Sequence, residues 1–278
     1  MHLNMRFQNG KAKALTLSYD DGVIHDKRLI DILNRYGLKA TFNLNSGIFG
    51  QGNIVKGKDR GRMKLDEAKN VYINSGHEIA SHTYTHPFIT DLRYNDMLYE
   101  VLEDKKCLEK EFGCIVKGYA APYGCCSDEL DGILRSIGIV YQRTVDETLC
   151  MELPQNWMRL QGTCHHNNPK LMELARSLAK WQPNHTDKCR MFYVWGHSYE
   201  FDENDNWNVI ENFAKYIGGR DDIWYAANIE IYEYVQAFKN LHTDTMNKII
   251  YNSSALSVWF EKNRKLYEVK SGETIYLE

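Results

Sequence analysis

The chain has 278 residues, enough for one large core, and its 34 basic and 37 acidic side chains leave a formal charge of -3. Neither sign dominates a long segment, which argues against nucleic acid or a membrane surface as a partner. The start, MHLNMRFQNGKAKALTLSYDDG, lacks the apolar segment of a signal peptide, and no later run approaches the ~20 residues of a membrane span, so a cytoplasmic address is expected.

In chain order, the apolar run ALTLSY (14–19) reads as a strand, followed by an amphipathic helix over 25–36 that Gly37 would cap. KATFNLN (39–45) is the next strand, then a helix over 65–74, the strand HEIASH (77–82) and a long helix over 94–112. Later strands are expected at 115–122, 137–144, 191–197 and 222–227, with helices over 128–136, 169–181, 207–216 and 229–239. Such alternation builds βαβ units and a parallel sheet, and seven or eight repeats suffice to close a barrel. After about residue 241 the pattern changes to period-two alternation with turn signals at Asn252-Ser253 and Ser271-Gly272. The expected division is therefore an α/β barrel over 1–240 and a small β extension over 241–278.

Seven cysteines form an odd set without a C-x-x-C pair, and the neighbours Cys125 and Cys126 cannot readily bridge, so reduced thiols are expected. The 18 tyrosines and 6 tryptophans suit a sugar-binding cleft, although core packing accounts for most of them equally well.

Two stretches carry chemistry. Asp20 and Asp21 stand side by side at the end of the first strand, where one carboxylate would satisfy a turn, and adjacent carboxylates repel unless a cation or a shared task holds them. In GHEIASHTYTHPF, His82 and His86 are four apart, the spacing of one face of a helical turn. Two imidazoles and a carboxylate commonly hold a borderline divalent metal with positions left open for water and substrate. Every strand of a parallel barrel ends at the same face, so Asp20, Asp21, His82, His86, Pro122, Tyr123 and His197 are expected to converge, one carboxylate ligating the metal and its neighbour free as a base.

LSYDDG, SHTYTH, AAPYG and VWGHSYE resemble four of the five ordered motifs of the polysaccharide deacetylases, the NodB-homology carbohydrate esterase family 4, over roughly residues 14–240. The resemblance implies a distorted NodB-like (β/α)7-8 barrel and a metal-dependent hydrolase that removes N- or O-linked acetyl groups from a carbohydrate. By position it makes Asp20 the catalytic base, Asp21, His82 and His86 the metal ligands and His197 the general acid. Tyr123 matches the position whose backbone N–H helps bind the oxyanion, with Pro122 shaping the turn. One divalent ion is implied, with zinc the first choice and cobalt, nickel or iron compatible with the same ligands.

Two departures stand out. The family usually has an arginine before Pro-Tyr where this chain has Ala120, and Arg143, with Arg159 behind it, is the expected replacement cation for Asp20. The fourth motif has its best match in YQRTVDET, with Asp146 the expected partner of the acid and Trp157 a further candidate neighbour. His165 and His166 read as exposed loop histidines, or else as a second polar wall of the cleft. Hydrolysis of a small non-sugar amide, or a carbohydrate-binding relative without turnover, are the alternatives. A polymer enzyme needs an open groove and a small-amide enzyme can use a closed pocket.

Overall fold

In the computed structural model, which describes residues 3–55 and 57–277, strands and helices alternate as the sequence pattern requires. The main sheet holds β1 (Lys13–Asp20), β2 (Ala40–Leu44), β3 (Glu78–Ser81), β4 (Gly118–Ala120), β5 (Tyr141–Glu147), β6 (Leu160–Gly162), β7 (Cys164–His165), β8 (Arg190–Gly196) and β9 (Ile223–Tyr225). They pair in parallel in the order β7-β8-β1-β2-β3-β4-β5-β6, and β9 joins the N-terminal half of β1. The two edge strands, β6 and β7, are joined by Thr163 alone, so the sheet's edges meet and it nearly closes into a barrel.

Around it run α1 (Asp26–Arg35), α2 (Leu65–Tyr72), α3 (Tyr94–Phe112), α4 (Asp128–Ser136), α5 (Leu171–Lys180), α6 (Tyr199–Glu203), α7 (Asn208–Ile217) and α8 (Asn228–Lys239). All eight residues of β1 are buried, because helices cover one face and the barrel interior covers the other. Leu15, Leu17 and Tyr19 join the main apolar cluster with the helices. The alternate residues face inward, where Thr16 donates to Asn228, Ser18 accepts from Asn43 and Asp20 meets Arg143.

Across β4 and β5, Gly118 is opposite Tyr141, and a Cβ at Gly118 would stand 2.1 Å from the Tyr141 hydroxyl oxygen. Glycine here lets Tyr141 cross the barrel and donate to Glu78 at 2.8 Å. The strands at 160–165 escape a periodicity reading because three and two residues carry no period-two signal.

The period-two segment after residue 241 forms strands as expected. Val258–Lys262 pairs with Lys265–Val269, while Ile249–Tyr251 pairs with His242–Thr243 and Thr274–Tyr276. A strand the sequence reading did not anticipate, Asn4–Arg6, lies antiparallel to Val258–Lys262. Tyr234 of α8 clasps both, donating to the Arg6 carbonyl and accepting from the Trp259 N–H. All seven cysteines are free, and among the described residues no helix is long and apolar enough to cross a membrane.

Candidate metal centre and active site

Asp20 ends β1 with its side chain turned into the barrel and 2% of the residue exposed. A carboxylate so buried needs partners. The Arg143 guanidinium donates to both of its oxygens, and Asn43 donates to Oδ1 at 2.7 Å. Arg143 comes from β5, directly opposite Ala120 on β4, so the two side chains share a face and the arginine occupies the neighbourhood that a longer residue 120 would fill. Its guanidinium also lies 5.0 Å above the Trp195 ring. Burial raises the Asp20 pKa, but Arg143, with His197 behind it, outweighs it and holds the group well below the usual carboxylate range. Arg159 is elsewhere, paired with Asp131 of α4.

Asp21, His82 and His86 bring one ligand atom each within 4.8 Å of one another. The histidines do not share a helical turn, as their spacing suggested. They sit on a loop after β3 with left-handed backbone at Thr83 (φ 67°) and His86 (φ 62°), and Asp21 itself has φ 80°. Such conformations cost non-glycine residues free energy and persist where the surroundings over-determine them.

The surroundings do so here. Asn45 donates to the carbonyls of His82 and Thr83. Glu100 of α3 accepts from the Thr85 N–H at 2.8 Å and its hydroxyl at 2.6 Å. Asp104, one turn on, accepts from Ser81, Ser46 and the His82 N–H.

The donor set fits a borderline divalent ion. His82 Nδ1 lies 2.8 Å from the Ala120 carbonyl, which makes Nδ1 the donor and leaves the Nε2 lone pair facing the cleft. Burial lowers the His82 pKa to about 4 and lowers that of His86, so both rings are neutral and ready to ligate. Asp21 is ionised, because His197, His82 and Arg62 overcome its burial, and Arg62 donates to its Oδ1 at 2.7 Å.

His197 follows β8, its Nε2 3.7 Å from Asp20 Oδ2. Its Nδ1 is 2.8 Å from Glu200 Oε1 on α6. Burial opposes the charge on this ring, but the Glu200 bond and the Asp20 and Asp21 carboxylates raise it to about 9. Glu200, not Asp146, is therefore the partner of His197. Asp146 is exposed and meets Thr144 and Gln161, since the outer half of β5 leaves the barrel. Trp157 packs edge-on against Tyr232 at 5.2 Å within a core cluster away from the cleft. His165 and His166 are not exposed loop residues: His166 is fully buried, His165 partly, and both approach Glu200.

Pro122 is buried, and Tyr123 (φ 56°) turns its ring outward, edge-on to His86 at 4.8 Å and stacked on Phe88 at 3.8 Å. Tyr123, with exposed Phe88 stacked on it, lines a cavity of about 360 Å³ whose walls include Asp21, Arg60, Arg62, His86 and Tyr199. Sequence reasoning missed Asn43, Arg62 and Glu200. Polar residues at 43 and 45 alternating through an apolar strand, and an acid three residues after His197, were the available signals for two of them.

Comparison with known proteins shows what the chain is similar to. Residues 7–142 match the polysaccharide deacetylase family model. The chain is 29% identical over 125 residues to a chitin deacetylase of Colletotrichum lindemuthianum, covering 45% of this chain and 47% of that protein. It is 26% identical over 138 residues to a peptidoglycan-N-acetylglucosamine deacetylase of Listeria monocytogenes, covering 48% of this chain and 26% of that one. The match thus spans about half or less of these relatives. Among solved structures, one from Mycobacterium smegmatis assigned to the polysaccharide deacetylases shares the fold with a TM-score of 0.63, 15% identity, and coverage of 86% of this chain and 95% of that one. A family 4 carbohydrate esterase from Streptomyces lividans gives 0.53 at 16% identity, covering 78% and 93%. Residues 7–142 thus match the polysaccharide deacetylase family, and the chain's motifs gather at one end of a nearly closed parallel barrel of the kind its structural neighbours have.

Proposed function

We propose that the protein is a metal-dependent deacetylase that hydrolyses N- or O-linked acetyl groups on a carbohydrate. The observation that carries the reading is the division of labour at the end of β1: Asp21 groups with His82 and His86 as a candidate ligand set, while both Asp20 oxygens accept from Arg143 with Oδ2 still 3.9 Å from His82 Nε2. Asp21, His82 and His86 would hold the ion, zinc being the first choice and cobalt, nickel or iron compatible. When bound, that ion supplies Lewis acidity to the acetyl carbonyl and to a water.

The chain's own groups do the rest. Asp20, kept ionised by Arg143, takes a proton from the water. The Tyr123 N–H would donate to the developing oxyanion. His197, protonated at neutral pH and oriented through Nδ1 by Glu200, gives its Nε2 proton to the departing amine or alkoxide.

The stacked Phe88 and Tyr123 rings at the rim favour a sugar over a small amide, because an aromatic face packs against pyranose C–H groups. Arg143 beside Asp20 supports turnover despite Ala120. Acetate release from a panel of N- and O-acetylated oligosaccharides and small amides, with zinc, cobalt, nickel and iron each supplied, tests the proposal. Metal-loaded protein that releases no acetate from any of them overturns it.

A further inference from the structure

Glu200 has more imidazoles around it than the orientation of one acid requires. His197 Nδ1 lies 2.8 Å from its Oε1, and on the other oxygen His166 Nε2 lies at 3.0 Å and His165 Nε2 at 3.3 Å. Ligands 2.0–2.1 Å from a tetrahedral zinc ion stand about 3.3 Å apart, so these separations are those of a ligand set. Atoms of His165, His197 and Glu200 all fall within 4.8 Å of one another.

His166 is the independent observation. It is fully buried, its Nε2 stands 3.0 Å from Glu200 Oε2, and among the described residues its Nδ1 has no hydrogen-bond partner. The fold also makes room for it: a Cβ on Gly196 would stand 2.0 Å from His166 Nδ1. Tyr19 and Phe201 sandwich the ring, at 5.7 and 4.0 Å, and fix its direction.

We infer that His165, His166, His197 and Glu200 form a second site for a borderline divalent cation such as zinc, and that filling it switches off the proposed acid. Three imidazoles and a carboxylate are a set that zinc, copper, nickel and cobalt all accept. Binding replaces the proton on His197 Nδ1, which leaves to solvent, and the ring remains with only its Nε2–H. A neutral, metal-bound ring gives up that proton far less readily than an imidazolium does, so the leaving group goes unprotonated. The site is distinct from the Asp21, His82 and His86 centre, and the two share no residue. The inhibition rests on the reading of His197 as acid; the binding does not.

The test titrates zinc into metal-free protein, counting bound ions by equilibrium dialysis and elemental analysis while acetate release is followed in parallel. Two ions are expected, with turnover rising on the first and falling at least tenfold on the second. His165→Ala and His165→Gln should bind one ion, keep basal turnover and lose the inhibition. Asp21→Ala should retain one ion, a readout that needs no activity and so separates failure of this site from failure of the deacetylase reading. A single ion in the wild type with none in Asp21→Ala, or inhibition undiminished in both His165 variants, overturns the inference.

Discussion

Replacing Arg143 with methionine tests the centre of the proposed mechanism. The guanidinium contacts both Asp20 oxygens in a place where neither partner is more than 2% exposed. Removing one member of a buried pair costs about 3–5 kcal/mol, because the remaining charge is uncompensated. Two features favour the low end: Asn43 still donates to Asp20, and the Nε and Nη1 atoms that have no partners in the native protein are removed with the side chain. About 3 kcal/mol is roughly two pKa units, too few to carry Asp20 from well below the usual carboxylate range to neutrality, so the carboxylate stays ionised but loses the two-oxygen contact that aims it. A misaligned base takes the proton from water poorly, so acetate release at about pH 7 should fall roughly 100-fold. Metal content should not change, since Asp21, His82 and His86 are untouched. Arg143→Lys, which keeps the charge but not the two-oxygen contact, should fall between the two. Near-normal acetate release by Arg143→Met would refute the reasoning.

Asp21→Ala, His82→Ala and His86→Ala should each lose the ion of that centre, while Asp20→Asn keeps it and loses activity; elemental analysis showing the reverse for the two aspartates would exchange their roles. His197→Ala should fold, keep the ion held by Asp21, His82 and His86 and slow turnover by about 100-fold, more for an amide than for an activated aryl ester, because only the amine leaving group needs the proton. Equal losses on both substrates would make His197 a positioning residue. At the far end of the barrel, burial raises Glu78 to about 7 from an ordinary 4.5, against the hydrogen bonds from Thr41, Ile229 and Tyr141. A raised folded-state pKa gives stability that is complete below about pH 4.5 and lost as pH climbs through about 7, at most about 3 kcal/mol. Urea unfolding between about pH 5 and about pH 8 should show that decline in the wild type and a flatter profile in Glu78→Gln; parallel profiles would rule Glu78 out as the source.

Much of the fold was legible because its elements are long enough to carry a period. The helices at Tyr94–Phe112 and Asp128–Ser136 coincide with their apolar spacing, and β1 falls where ALTLSY reads as a strand, its Leu15, Leu17 and Tyr19 alternating with Thr16, Ser18 and Asp20. The strands at 160–165 were too short for any pattern, and Asn4–Arg6 is a strand only because it finds Val258–Lys262, some 250 residues away. At the site, residues that meet their partners at strand ends were visible from topology alone, as with Asp20, His82 and His197. Which way Arg143 points depends on register, and register depends on the neighbour: Ala120 lies opposite it, and both face inward. Arg62 was illegible for a different reason. It reaches Asp21 from a segment without regular structure, where no periodicity says which way a side chain turns.

The electrostatics of the cleft explain why its parts come as sets. Asp20, Asp21 and Glu200 are three carboxylates near one another, each depressed in pKa despite burial that pushes the other way. Each has its own counter-group: Arg143 for Asp20, Arg62 for Asp21, and the imidazoles of His165, His166 and His197 for Glu200. An arginine is a fixed charge, so Asp20 and Asp21 stay ionised across the working pH range. An imidazole can carry a proton or release it to bind a metal, so Glu200, whose ion-pair partners among the described residues are all imidazoles, depends most on a counter-charge that can change. His197 also helps hold down Asp20 and Asp21, but there Arg143 and Arg62 add a share that does not titrate. A second cation competing with the proton at His197 would therefore act first on the proposed leaving-group step, while the two arginines keep Asp20 and Asp21 ionised.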